Sequence, residues 1–338
     1  MWFEELMGFS ESRKSVYENI VIDGSQMRSL VNGKSYTFGH LEVASLYQLR
    51  ERVSQVESQR GKIQIREEVA DIRDLHLDEG NAGALFQVAS QFNLLEMVSP
   101  HVTPEDGVSR YAYDHTQGPV CAMCAGAGTI YRNYFAEVNG ARGQSKSNQI
   151  DCLKEIGSAI GNEKEQFWKM QNGYALLTEE GLKKIDYDLQ TADEGEEDIL
   201  AELLDIGIQW DTQVTAEDKI HTVTQVYCSA LPIAYVGYDI ALWERFARVV
   251  LYASYEATLC IGILNAIKTG NSRIYLTLVG GGVFGNKIEW IVDAIVYAVY
   301  KYRDFDLDIV IVSYGARNTY VSNAIEKIYQ KIAEVQSN

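Results

Sequence analysis

Seven residues late in the chain carry its clearest chemistry: Gly280-Gly281-Gly282-Val283-Phe284-Gly285-Asn286. They follow the apolar, β-branched run Ile274–Val279 and precede the amphipathic run Lys287–Tyr302. That order reads as strand, tight loop, helix. A glycine loop at such a junction exposes backbone N–H groups and carries the positive end of the helix dipole, so it is a natural cradle for phosphate. Phe284 is unusual there, because a loop has little need of a large apolar ring. It either packs on a sugar or base or plugs the core. The string also satisfies Gly-x-Gly-x-x-Gly, but it lies near the C-terminus and not in a first strand–helix turn, which argues against a dinucleotide-dependent enzyme.

Other candidate motifs are weaker. Gly126-Ala127-Gly128-Thr129, before the aromatic run Tyr131–Phe135, has the strand–glycine–helix order of a phosphate loop. Asn81-Ala82-Gly83 is either a second anion-binding turn or an ordinary loop. Cys121-x-x-Cys124 has no second pair at zinc spacing, and no metal is expected. Five cysteines, mostly inside apolar runs, read as reduced buried thiols of a cytoplasmic protein. No histidine stands with a Ser or Cys in a nucleophile–base motif. The 338 residues, 46% hydrophobic, suffice for a large core. A net charge of −17 argues against nucleic acid or an anionic membrane surface as partner. It leaves neutral backbone donors free to hold a diphosphate. No apolar run of about 18 residues suggests a membrane span, and the opening Met-Trp-Phe-Glu-Glu-Leu lacks the basic start of a secretory signal.

Residues 1–60 read as an N-terminal helical extension, with a helical apolar pattern over Phe38–Val56. Residues 61–338 read as the main domain. Ile63–Ile72 and Ala84–Phe92 are expected strands, and so is Pro119–Ala125. Leu94–Gln117 is irregular, hence functional or mobile. Gly140–Ser147 reads as a polar linker opening an insertion at about 141–205, whose acidic stretch Leu176–Leu204 reads as a solvated helix pair or hairpin. Ile206–Val214 and His221–Val236 are expected strands and Leu242–Lys268 a long helix. After the glycine loop come a helix, the strand Leu307–Val312 and a closing helix, Asn318–Val335. Alternating helices and strands predict an α/β fold whose ligands bind off the carboxyl ends of the strands.

The segment Tyr255-Glu256-Ala257-Thr258-Leu259, with Ala266, Gly270, Ile274 and Gly282-Val283-Phe284-Gly285, resembles the C-terminal hallmark of macrodomains. That resemblance implies a mixed sheet flanked by helices on both faces and ADP-ribose as ligand, with no cofactor. Gly280, Gly281, Gly282, Val283, Phe284, Gly285 and Asn286 would then wrap the diphosphate, with Phe284 near the distal ribose. Ala70-Asp71-Ile72 is similar to the family's Gly-Asp-Ile, which implies that Asp71 and Ile72 meet adenine. Val88–Asn93 is similar to its Val-Asn-Ala-Ala-Asn strand end, which implies that Asn93 meets the distal ribose; the first Asn and the following glycine run are missing. The triple glycine is similar to poly(ADP-ribose) glycohydrolases, but their Gln-Glu-Glu is absent. Longer strings, Asn81–Asn93, Thr116–Pro119, Gly128–Phe135 and Val223–Pro232, resemble a divergent macrodomain-like group that includes bacterial effectors. For that group the resemblance implies removal of mono-ADP-ribose from arginine on a modified protein, ubiquitin among them.

Such a reaction develops oxocarbenium character, which a carboxylate can stabilise while orienting water or protonating the leaving group. Three acids are candidates. Glu96 follows Asn93 at a presumed strand mouth, or is simply exposed. Asp114 lies beside Thr116-Gln117-Gly118, or caps that turn. Glu256 lies on the helix before the glycine strand, or is a partly buried structural acid. Asp71 is equally readable as an exposed strand-end acid. Asn81, Gly83, Gln91 and Gln117 complete the candidate ligand contacts; glutamines in apolar runs, such as Gln87, Gln91 and Gln225, need partners wherever they are buried. A reader that binds ADP-ribose without cleaving it fits the same loop.

Overall fold

The computed structural model describes residues 1–336. The chain opens with helices α1 (Trp2–Met7) and α2 (Arg13–Asn19) and an antiparallel meander of β1 (Ile20–Asp23), β2 (Gln26–Ser29) and β3 (Ser35–Thr37). There follow β4 (His40–Ser45), α3 (Leu46–Ser54), β5 (Gln64–Val69), α4 (Ile72–Leu77), β6 (Leu85–Ala89), α5 (Gln117–Cys124) and α6 (Gly126–Tyr134). Two hairpins, β7 (Glu137–Val138) with β8 (Ala141–Arg142) and β9 (Trp168–Gln171) with β10 (Tyr174–Leu177), flank α7 (Lys154–Ile160). Then come α8 (Glu179–Thr191), α9 (Glu194–Glu202), β11 (Asp205–Gln213), β12 (Thr222–Cys228), α10 (Glu244–Thr269), β13 (Arg273–Leu276), α11 (Ile288–Lys301), β14 (Asp308–Ser313) and α12 (Thr319–Gln336).

Seven strands form one mixed sheet in the order β4-β11-β12-β6-β13-β14-β5. The run β12-β6-β13-β14-β5 is parallel throughout, and β11 is antiparallel to both its neighbours. Parallel strands are covered on both faces, and so read as continuous apolar runs. Consecutive residues of β6 show the two faces: the Phe86 ring stacks on His76 of α4, while Gln87 bonds Thr258 of α10. The expected α/β architecture is therefore the observed one.

Three local expectations need correction. Phe38–Val56 is strand then helix, because β4 pairs with β11 and Ser45 caps α3 in a reciprocal box with Gln48. Pro119–Ala125 lies in helix α5, not a strand. Pro119 sits in the first turn, where its missing N–H is not needed, and the helix is apolar almost all round, which removes the periodic signal. Gly126-Ala127-Gly128 is the buried start of α6, closed by Trp2, Gln209 and Thr212, so it cradles no anion. The stretch Ile240–Thr269 is long and apolar enough to cross a membrane, but 83% of its apolar window is buried inside this fold, where α10 is the central core helix.

Candidate functional site

The carboxyl ends of β5, β13 and β14 open onto a cleft of about 1120 Å³. Ala70, Asp71 and Ile72 line it beyond β5, Thr277 and Leu278 beyond β13, and Val312 to Tyr314, Ala316 and Asn318 at and beyond β14. His115, Thr116 and Gln117 at the start of α5 form the facing wall. Further along, the N-terminal module closes the cleft with Trp2, Leu6, Lys34 and Tyr36, facing Arg73 and the loop Thr215–Asp218. Two ion pairs cross this end, Lys34 to Asp218 at 3.2 Å and Arg73 to Glu217 at 2.7 Å.

Asp71 lies in this cleft. It is the N-cap of α4, and its Oδ1 accepts from the Arg73 N–H at 2.8 Å, which satisfies one orphan donor of the helix. Gln117 also lines the cleft, but its amide is committed: Oε1 accepts from Ala89 N–H and Nε2 donates to the Gln87 carbonyl, both at 2.8 Å. It thereby stitches α5 to the end of β6. Gly118 permits this approach, since a Cβ there would lie 1.9 Å from the Ala89 oxygen.

The glycine loop stands beside the cleft, not in its lining; only its stem, Thr277 and Leu278, lines the wall. Gly280 has φ +76°, and a Cβ would meet Ala230 at 2.4 Å. Asn286 pins the loop by donating to Leu231 and Gly280 carbonyls. Among the described residues, the N–H groups of Gly280, Gly282, Val283 and Phe284 have no hydrogen-bond partner within the chain, and Gly281–Val283 are exposed. Such a run of free N–H groups is what an oxyanion cradle requires. The Phe284 ring points inward, 5.4 Å from Tyr174 and 5.7 Å from Tyr235. It plugs the base of the loop instead of offering a face to a sugar.

Other expectations fail on position. Asn81 and Gly83 precede β6 and so lie at the amino ends of the parallel strands. Asn81 accepts from Arg273 and Tyr275, and Gly83 packs on Thr269. Gln91 and Asn93 are buried organisers of their own turn: Gln91 accepts from Met97 N–H, and Asn93 accepts from Leu95 N–H and donates to Gln149. Glu256 faces the opposite helix layer. It is 1% exposed and held by Arg50 at 2.6 Å, Lys301 at 2.7 Å and the Tyr302 hydroxyl at 3.0 Å, so it is a structural acid.

Asp114 borders the cleft between the lining residues Ala112 and His115, and its Oδ1 accepts from the N–H and hydroxyl of Thr116 at 2.9 and 2.7 Å. This is the capping alternative. Glu96 is buried under α5, where a Cβ on Gly118 would touch its Cγ at 3.3 Å. Its carboxylate pairs with the equally buried Arg132 at 3.2 Å. Burial holds the Glu96 carboxyl up at about 7, with Arg132 pulling the other way. Residues that sequence reading missed, Arg73, His115 and the Ser313–Asn318 segment among them, reach the cleft through topology. The one available signal was their place just after or before predicted strand ends. Among the described residues, no group of three or more His, Cys, Asp or Glu could hold a metal ion.

No protein-family model and no curated protein matches this chain. Among solved structures, it is similar to the poly(ADP-ribose) glycohydrolase of Deinococcus radiodurans in complex with ADP-ribose. The identity is 10% and the TM-score 0.45, over 86% of this chain and 94% of that one. It is also similar to the poly(ADP-ribose) glycohydrolase of Thermomonospora curvata, at 11% identity and a TM-score of 0.44, over 93% of this chain and 95% of that one.

Proposed function

We propose that this protein binds ADP-ribose in the cleft and hydrolyses an ADP-ribosyl bond on a modified protein. The observation that carries the proposal is the pairing of two features at one sheet end: a roomy cleft off the parallel strands, and a glycine loop with four unbonded N–H groups beside it. The diphosphate lies against Gly280–Phe284, and adenine lies toward Asp71 and Ile72. Asp114 borders the cleft on the facing wall, while Glu96 lies buried behind that wall beneath α5 and outside the lining; a carboxyl has the chemistry to protonate a leaving group or orient water. The finer reading is arginine-linked mono-ADP-ribose, with ubiquitin as one carrier, and rests on the longer strings shared with the effector-type group. The test is release of free ADP-ribose from arginine-, serine- and glutamate-linked substrates, ubiquitin included, by wild type, Glu96→Gln and Asp114→Asn. Release that both variants leave unchanged would remove these acids from the mechanism.

One observation favours a reader without hydrolysis. Every candidate acid is already committed, Asp114 to Thr116, Glu96 to Arg132 and Glu256 to Arg50 and Lys301. Saturable ADP-ribose binding with no turnover on any linkage would select that reading.

A further inference from the structure

A chain of hydrogen bonds runs under α4 and α5 from the buried Arg132 to the cleft. Arg132 Nη1 donates to the Tyr227 hydroxyl, which donates to Gln225 Oε1 at 2.9 Å. Gln225 Nε2 faces His76 Nε2 at 3.1 Å, and His76 Nδ1 faces the Ile72 carbonyl at 2.8 Å. All four side chains and the contacts between them are buried.

The direction of every bond is fixed by chemistry. Arg132 can only donate. Gln225 Nε2 also donates to the Cys121 carbonyl at 2.9 Å, so the amide cannot be flipped without opposing two oxygens. His76 Nε2 must then accept, which places the imidazole proton on Nδ1, aimed at Ile72. Burial pulls the His76 pKa down to about 4, so the ring stays neutral at physiological pH. Among the described residues, the titratable group bonded to its backbone from a neighbouring element is His221, whose Nε2 meets the His76 carbonyl at 2.9 Å. Aligned donors of this kind polarise one another, and a misdirected link leaves a buried group unpaired.

We propose that Tyr227, Gln225 and His76 are positioning residues that hold the Asp71–Ile72 corner of the cleft in register with the Arg132–Glu96 pair. This rests on the proposed ADP-ribose site for its functional meaning. The corner is otherwise a strand-to-helix turn whose cap, Asp71, also lines the cleft. The relay enters from beneath, through the carbonyl of the first residue of α4, and so leaves the cleft side of Asp71 and Ile72 unobstructed. It joins the Asp71–Ile72 corner to the Arg132–Glu96 pair buried behind the facing wall.

The test combines a spectroscopic and a binding readout. Histidine-selective ¹⁵N spectra of the full chain should show His76 neutral with its proton on Nδ1 from pH 5 to 8. Tyr227→Phe removes one hydroxyl from the middle of the relay. It should shift the Asp71, Ile72 and Arg73 amide resonances and weaken ADP-ribose binding about 2- to 10-fold, the worth of one neutral hydrogen bond. His76→Gln keeps one donor and one acceptor and should bind like wild type, whereas His76→Leu should not. A proton on Nε2, or unmoved α4 amides in Tyr227→Phe, would overturn the relay. If wild type fails to bind ADP-ribose while the tautomer and amide shifts appear as expected, the relay stands and the ligand assignment falls.

Discussion

Replacing Glu96 by Gln tests whether desolvation or the ion pair governs the buried acid beneath the cleft. The folded carboxyl titrates at about 7 and the ordinary value is 4.5. At about 1.4 kcal/mol per pH unit, that difference is worth roughly 3 kcal/mol. The sign follows from linkage. Above pH 4.5 the unfolded chain releases the proton that the folded chain still holds, so raising the pH destabilises the fold until about pH 7, after which the penalty is constant. E96Q removes this titration and leaves Arg132 without its anion at every pH, a fixed offset. Urea unfolding of both proteins at half-unit steps from pH 4.5 to 8 should therefore show wild type losing about 3 kcal/mol relative to E96Q, with the loss complete by about pH 7. Parallel curves would show that burial does not raise the Glu96 carboxyl into this range. A wild type that gains on the variant with rising pH would show Arg132 prevailing over burial. A carboxyl that titrates near neutrality also suits a proton donor to a leaving group, so this experiment bears on mechanism as well as stability.

Other outcomes follow from the same structure. Asp71→Ala should lower stability by about 1 kcal/mol through loss of the cap and abolish measurable ADP-ribose binding, whereas Asp71→Ser should restore the cap in thermal melts without restoring binding. Gly280→Ala should strain the loop, given its positive φ and the 2.4 Å approach to Ala230, and weaken ADP-ribose at least tenfold. Gly282→Ala, whose Cβ meets no atom of the chain within 4 Å, should be tolerated in thermal melts. Glu256→Ala should cost about 1–3 kcal/mol in denaturant unfolding, because Arg50 and Lys301 lose a buried partner while Arg50 keeps Asp198 and Glu202, with turnover per folded molecule unchanged.

The sequence was most legible where a local pattern decides structure. Continuous apolar, β-branched runs marked β13 and β14, and helical spacing marked α10 and α12. Ile63–Ile72 reads as one strand with Asp71 at its end; the strand stops at Val69, and Asp71 lines the cleft as the cap of α4. The illegible parts depend on distant partners. Nothing near Glu256 announces Arg50, 206 residues away in sequence. Phe284 in a loop suggests a ligand face until Tyr174 and Tyr235 occupy both its neighbours. Asn81 and Gln117 have equally ligand-like types. The first lies at the wrong end of β6, and the second lies in the cleft with its amide engaged by backbone. The extra wall from Trp2, Lys34 and Tyr36 comes from a module whose docking no local motif encodes.

The proposed function requires the cleft to be an ADP-ribose site. Isothermal titration calorimetry of the full chain with ADP-ribose, with NAD and ATP as comparators, tests it most directly. ADP-ribose should bind saturably and one-to-one, tighter than either comparator, and binding should be lost in Asp71→Ala. Absence of saturable heat, or equal binding by wild type and Asp71→Ala, would contradict it.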